Sequence, residues 1–226
     1  MSMWSSLARS PRPPRLPRRA ESDRGVTLVE ATVVLLAVTI LAGAAAPTVK
    51  RAVDQAKLTR AVSDEQAIKT AILNFMSELA AYTGFTQNGQ AGGATTETLV
   101  SDGDVPREVS ASGSATWQTL VNGTTVDFLE RHLVTDNPGG NVANAYPTAN
   151  GWRGAYLNPP IDPDPWGNRY AVNVKWLKDA SRANDVFVLS AGPDEEIDSL
   201  YQVNGAVPGD DDIILIVRRD IGLTTP

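Results

Sequence analysis

Between Ala31 and Val49 the chain runs nineteen residues without a charge, and from Lys50 onward charged positions return among apolar ones. At about 1.5 Å per residue the uncharged run covers roughly 28 Å as a helix, close to the ~30 Å hydrocarbon layer of a bilayer. Beyond it Val53, Ala56, Leu58, Val62, Ile68, Ile72, Phe75, Met76 and Leu79 interleave with Lys50, Arg51, Asp54, Lys57, Arg60, Asp64, Glu65 and Lys69. Those spacings predict an amphipathic helix. The pattern as a whole predicts one helix from Val26 to Ala81, 56 residues or about 84 Å, with its first half in a membrane or filament core. Pro47 has no amide proton and crowds the preceding turn, so it is expected to bend or loosen that helix. The single apolar face of the second half asks for a sheet to cover it.

The rest of the chain reads as loops with late strands. Tyr82 to Ser114 is rich in Gly, Thr, Ser, Asn and Gln, with Gly92-Gly93 and Asp102-Gly103 as turn signals, and reads as a long connection. Thr125 to Val134 reads as a short helix carrying Phe128, Leu129 and Leu133, ended by Asn137-Pro138-Gly139-Gly140, and Asn141 to Asn150 reads as loop. Tyr170 to Trp176 alternates apolar and polar positions, Asp185 to Ser190 is a second apolar run, and Ile213 to Val217 is a third. Three such runs separated by polar turns predict a small antiparallel sheet, the partner of the helix face.

Charge places the ends of the apolar span. Met1 to Gly25 carries six arginines and two acids, so its removal takes the formal net charge from −6 to −10. Basic flanks stay cytoplasmic, which orients the bulk of the chain outward. An acidic mature chain is a poor binder of nucleic acid. Cysteine is absent, so an exported domain would need some staple other than a disulfide.

A secretory signal places its cleavage site after the apolar region, whereas here the Arg24-Gly25 junction precedes it. Gly25-Val26-Thr27-Leu28-Val29-Glu30 resembles the prepilin motif, with valine in place of the usual phenylalanine. The resemblance implies cleavage by a prepilin peptidase between Gly25 and Val26, methylation of the new amino terminus, and retention of the helix in the inner membrane. Pro47 sits where that family often carries a proline in its first helix. A charge inside a membrane helix costs roughly 2.5 kcal/mol or more without a partner. The resemblance implies that Glu30 finds one in the amino terminus of a neighbouring subunit, while a carboxylate at the bilayer interface that snorkels to water is the alternative.

Gly151-Trp152-Arg153-Gly154-Ala155-Tyr156-Leu157, followed by Asp162-Pro163-Asp164-Pro165-Trp166-Gly167-Asn168, resembles the carboxy-terminal half of the major pseudopilin of type II secretion systems. Trp152 and Trp166 are read as loop residues packed over the core, without chemistry. Asp194 to Asp212 holds Asp194, Glu195, Glu196, Asp198, Asp210, Asp211 and Asp212 with no lysine or arginine among them. Hard oxygen ligands of this kind suit calcium, although the spacing is not that of an EF-hand and acidic turns are often simply solvated. In the major pseudopilin, aspartates of a carboxy-terminal loop bind calcium. The resemblance therefore implies a calcium site among Asp194, Asp210, Asp211 and Asp212. This chain departs from the family by a longer intervening loop through Tyr201 and Gly205, and by Ile214 to Arg219 where the family continues with Gly-Asn-Trp.

His132 is the only histidine and reads as a surface or edge residue of the short helix. No Cys-X-X-Cys, phosphate-binding Gly-X-X-X-X-Gly-Lys or His-Glu-X-X-His motif occurs, so no catalytic role is expected. The expected fold is α+β and pilin-like, with a leader at 1–25, a membrane or filament-core segment at 26–49 and an exported domain at 50–226. The implied work is assembly into a helical filament with other pseudopilins and an inner-membrane platform, the globular part lying in the periplasm or outside the cell. A type IV pilus pilin is the alternative, disfavoured because its carboxy-terminal loop commonly closes with a disulfide. A membrane-anchored binding module and an anchored enzyme are rivals from other classes.

Overall fold

The computed structural model describes residues 26–79, 84–90, 92–108, 117, 123–147, 152–158, 160–177, 184–201, 203 and 205–218. The chain divides into two compact units, one ending at Val49 and the other beginning at Lys50. One helix, α1 (Leu28–Glu78), contributes to both and is continuous through Pro47. It starts two residues later than expected because Thr27 caps it. The Thr27 Oγ1 accepts the amide of Glu30 at 3.2 Å, and the Thr27 carbonyl accepts the amide of Ala31 at 3.0 Å.

Among the described residues of the unit that ends at Val49, the helix is the one regular element. Leu28, Val29, Val33, Val34, Leu35, Leu36, Ile40 and Leu41 are all exposed. Two of its hydroxyls find a partner within the helix, since Thr32 and Thr39 donate to the carbonyls of Val29 and Leu35 at 2.8 Å. By length and composition α1 is long and apolar enough to cross a membrane.

The unit that begins at Lys50 is α+β. Its core gathers Ile68, Ala71, Ile72 and Phe75 from the helix, and Leu79 just after it, with Leu99, Tyr170, Val172, Phe187 and Leu189 from the sheet side. The strands are β1 (Thr98–Val100), β2 (Arg107–Glu108), β3 (Val126–Phe128), β4 (Ala171–Val172), β5 (Val186–Ser190), β6 (Glu196–Ile197) and β7 (Ile213–Arg218). A short helix, α2 (Leu129–Leu133), follows β3 directly. Five strands form one sheet in the order β3, β1, β4, β5, β7, and β2 pairs with β6 in a separate two-stranded ribbon.

The sheet corrects the antiparallel expectation. β3 runs parallel to β1, with Leu99 opposite Asp127, whereas β1–β4, β4–β5 and β5–β7 are antiparallel. Two segments expected to be irregular or helical supply the difference. The Tyr82 to Ser114 connection contains β1, whose Thr98, Leu99 and Val100 are fully buried. Val126 to Phe128, expected in a helix, is extended before α2 begins. Both runs are only three residues long, too short to show a period of their own.

The strand expected from Tyr170 to Trp176 stops at Val172 and gives way to a 3-10 turn over Val174–Trp176. Asn173 accounts for the break. Its buried amide donates to the carbonyls of Asp185 and Tyr201 at 2.9 and 3.1 Å, and its Oδ1 accepts the amide of Phe187 at 2.8 Å. A side chain thus takes the ladder bonds that a continuing backbone would have made.

Candidate assembly helix and acidic loop

Of the residues expected at the processing junction, Gly25 lies outside the described residues, and Val26 is 70 % exposed. Glu30 sits in the first turn of α1 and is also exposed. The Thr27-X-X-Glu30 spacing is that of a capping box, and a carboxylate there meets the positive end of the helix dipole. The tetrapeptide therefore has a local duty in starting the helix, a signal present in the sequence alone.

The acidic residues come from two turns, 192–198 and 209–212. Glycines allow the two to meet. A Cβ on Gly192, where φ is +68°, would fall 2.3 Å from the Asp211 carbonyl oxygen, and one on Gly209 would fall 2.5 Å from Asp198. Ligand atoms of Asp194, Asp210 and Asp211 then lie within 4.8 Å of one another. The Asp194 amide donates to Asp211 Oδ2 at 3.2 Å, and the Asp194 Oδ1 accepts the amide of Glu196 at 2.9 Å. Asp211 Oδ1 is buried and has no hydrogen-bond partner. Burial, then the charge of Asp194, pushes Asp211 above the usual carboxylate range.

Asp212 stands apart from these three. It is buried, and its Oδ2 accepts the amides of Asp198 and Ser199 at 3.0 and 2.6 Å, tying one turn to the other. Burial raises it to about 6. Glu65, on the buried face of α1, is raised to about 8 by burial and, further down, by the charge of Asp212. The acidic run therefore splits into a surface cluster, with Asp194 and Asp210 exposed and Asp211 half-buried, and a buried carboxylate that closes the turns.

The Asp162 to Asn168 block is a loop clasp. Asp164 is buried, its Oδ1 accepts the amides of Trp166 and Asn168 at 3.0 and 2.8 Å, and its Oδ2 accepts the Ser190 hydroxyl at 2.7 Å. Trp166 is half-buried with Lys57 Nζ 5.7 Å from its ring centre, and the Arg60 guanidinium donates to the Pro163 carbonyl at 3.1 Å. Trp152 packs against the core and donates its indole N–H to the His132 carbonyl at 3.3 Å.

His132 corrects the surface expectation, being fully buried. Its Nε2 is 2.9 Å from Asp127 Oδ2 and its Nδ1 is 2.7 Å from the Tyr146 hydroxyl. Asp127 also pairs with Arg131 at 2.8 Å and accepts the amide of Gly139 at 2.6 Å. Burial works to raise Asp127, but the bond and charge of His132, with the Gly139 and Arg131 contacts, outweigh it and hold the group at about 2. This network ties β3, α2 and the 137–146 turn together without a disulfide, and solvent does not reach its imidazole. Short-range pattern gave no sign of it, because Asp127 and Tyr146 meet His132 only once the chain is folded.

Compared with protein-family models, with curated proteins and with solved structures, the chain gives no match.

Proposed function

We propose that this chain is a pilin-like structural subunit, anchored in a membrane by the first half of α1 and assembling with copies of itself into a filament. A type II secretion pseudopilus is the assembly its motifs resemble most. The observation that carries the reading is the exposed apolar half of α1 with one carboxylate, Glu30, near its start. An apolar surface of this extent needs cover from lipid or from other helices. A head formed by an α+β unit supports the same reading.

Calcium belongs to this reading as a ligand of the acidic loop, and the orphaned Asp211 Oδ1 fits it. Asp194, Asp210 and Asp211 would hold the ion, which supplies positive charge to offset their mutual repulsion. Asp212 is the residue of the expected set that lies outside this cluster; its Oδ2 is engaged with backbone amides, while its Oδ1, like that of Asp211, is buried without a partner.

The test separates insertion from assembly. Glu30→Val in cells otherwise lacking this subunit is expected to leave the protein in the membrane and to abolish filaments. Assembly at the parental rate would overturn the pairing of Glu30 with a neighbour's amino terminus. Failure of cysteine pairs placed near Glu30 to crosslink copies of the parent would favour a membrane-anchored module that does not polymerise.

A further inference from the structure

The charge of α1 changes sign against the rest of the chain at the point where its apolar run stops. Lys50, Arg51, Lys57 and Arg60 stand against one acid, Asp54, between residues 50 and 60, a net of +3. Residues 61–226 hold 22 acids against 10 lysines and arginines, a net of −12. Lys50 and Arg51 are exposed, and neither has an ion-pair partner among the described residues. Arg60 differs, because Asp64 pairs with it at 3.4 Å. Lys57 is half-buried and lies over the ring of Trp166, an amphipathic side chain of the kind that anchors proteins at headgroup level.

We infer that Lys50, Arg51 and Lys57 form a basic collar that binds anionic phospholipid headgroups on the bilayer surface where the apolar span ends. The inference rests on the membrane-anchored reading above. Its physical basis is charge complementarity at a fixed depth. Lys50 and Arg51 follow directly on nineteen uncharged residues, which places them in the headgroup layer when that run fills the hydrocarbon. Lys57 is seven residues farther along the same helix, roughly 10 Å, still about one Debye length from the phosphates at physiological salt. Their long stems cover apolar surface while the charged heads reach phosphate. The acidic remainder is repelled by the same headgroups, so the collar opposes that repulsion where the chain leaves the bilayer.

The experiment uses the processed chain, Val26 onward, reconstituted in phosphatidylcholine vesicles, so that the six arginines of residues 1–25 do not contribute, with a trace of spin-labelled phosphatidylglycerol or spin-labelled phosphatidylcholine. The relative association of the two labelled lipids with the protein is the readout. Phosphatidylglycerol is expected to be preferred at low salt. Lys50→Gln should lower the preference by up to about fivefold, and the triple variant Lys50→Gln, Arg51→Gln, Lys57→Gln should bring it to parity. Salt at 0.5 M should do the same to the parent, with no substitution at all. Lys69→Gln, outside the collar, should change nothing. Parity in the parent at low salt, or an undiminished preference in the triple variant, overturns the inference. Parity in the parent together with loss of copy-to-copy crosslinking in the triple variant assigns the collar to the acidic head of a second copy, and overturns it too. Release of the chain from vesicles by alkaline carbonate sinks the membrane-anchored reading itself, a separate outcome from any change in lipid preference.

Discussion

The two halves of α1 share one backbone and differ in who covers their apolar side chains. In the second half Ile68, Ile72 and Phe75 are fully buried by the chain's own sheet and loops. In the first half Leu28, Leu35, Leu36 and Leu41 are each more than 60 % exposed. Burial of a large apolar side chain contributes about 1.5–3 kcal/mol. The second half therefore stabilises the folded unit, while the stabilisation available to the first half is realised only against lipid or other helices. One part of the helix belongs to folding; in the proposed reading the other serves insertion and association.

The sharpest way to break this comparison is to keep the first half from maturing. Gly25→Leu should block processing, giving a chain whose mass includes Met1 to Gly25, whereas on the proposed reading the parent should begin at Val26 in cells with an active prepilin peptidase. Mass spectrometry of membrane-extracted protein decides between a complete and a negligible effect. A parent chain that keeps residues 1–25 would remove the prepilin reading.

Next in size is a pair of matched truncations. Phe75 stacks on Phe85 at 4.4 Å and meets Tyr146 edge-on at 5.1 Å, so Phe75→Ala should cost about 3–5 kcal/mol of head stability. Leu36→Ala should leave the thermal melt of the same protein in detergent unchanged within about 0.5 kcal/mol. Equal losses at the two positions would erase the distinction between the halves.

The acidic loop sharpens the comparison from the head's side. Calcium at one hundred times its dissociation constant should stabilise the folded head by about 2.7 kcal/mol, seen as a higher melting temperature than with chelator. Asp194→Ala and Asp211→Ala should remove most of that gain. Asp212→Ala should instead destabilise with and without calcium, because its carboxylate closes the turns through Asp198 and Ser199. Identical melts of the parent with calcium and chelator would return the cluster to a solvated turn.

A smaller effect follows from Glu65, the charged residue that the second half of α1 buries. Its folded pKa, about 8, lies above the ordinary 4.5, so the folded state holds the proton more tightly than the unfolded one. That contribution is fully present below about pH 4.5 and is lost as the pH rises through about 8, with a slope of at most roughly 1.4 kcal/mol per pH unit. Denaturant melts between pH 5 and 8 should show stability falling in the parent and a flatter profile in Glu65→Gln. A slope unchanged by the substitution would assign the dependence to Asp212 or another group.

Much of this was legible in the chain. The uncharged run, the Thr27-X-X-Glu30 cap and the amphipathic continuation each depend on residues within one or two turns, and α1 follows from them. Asp185 to Ser190 and Ile213 to Val217 were recognisable as strands because four and five apolar residues respectively ran together. Composition likewise marked the acidic loop. Its division did not show, since Asp211 and Asp212 are neighbours in sequence and differ only in which way the closing turn directs them.

By itself the sequence determined the long helix, its apolar and mixed halves, the lack of any disulfide and the supply of acids at the carboxy-terminal loops. These are local or compositional properties, set by helix period, capping and residue type. The tertiary structure alone decided that β3 joins β1 in parallel, that Asn173 ends β4, and that Asp127, His132 and Tyr146 bury a polar network in place of a surface histidine. It also decided which aspartates converge. The physical reason is the same in each case: pairing across tens of residues depends on packing and on finding partners for buried polar groups, and neither is written in the periodicity of a short segment.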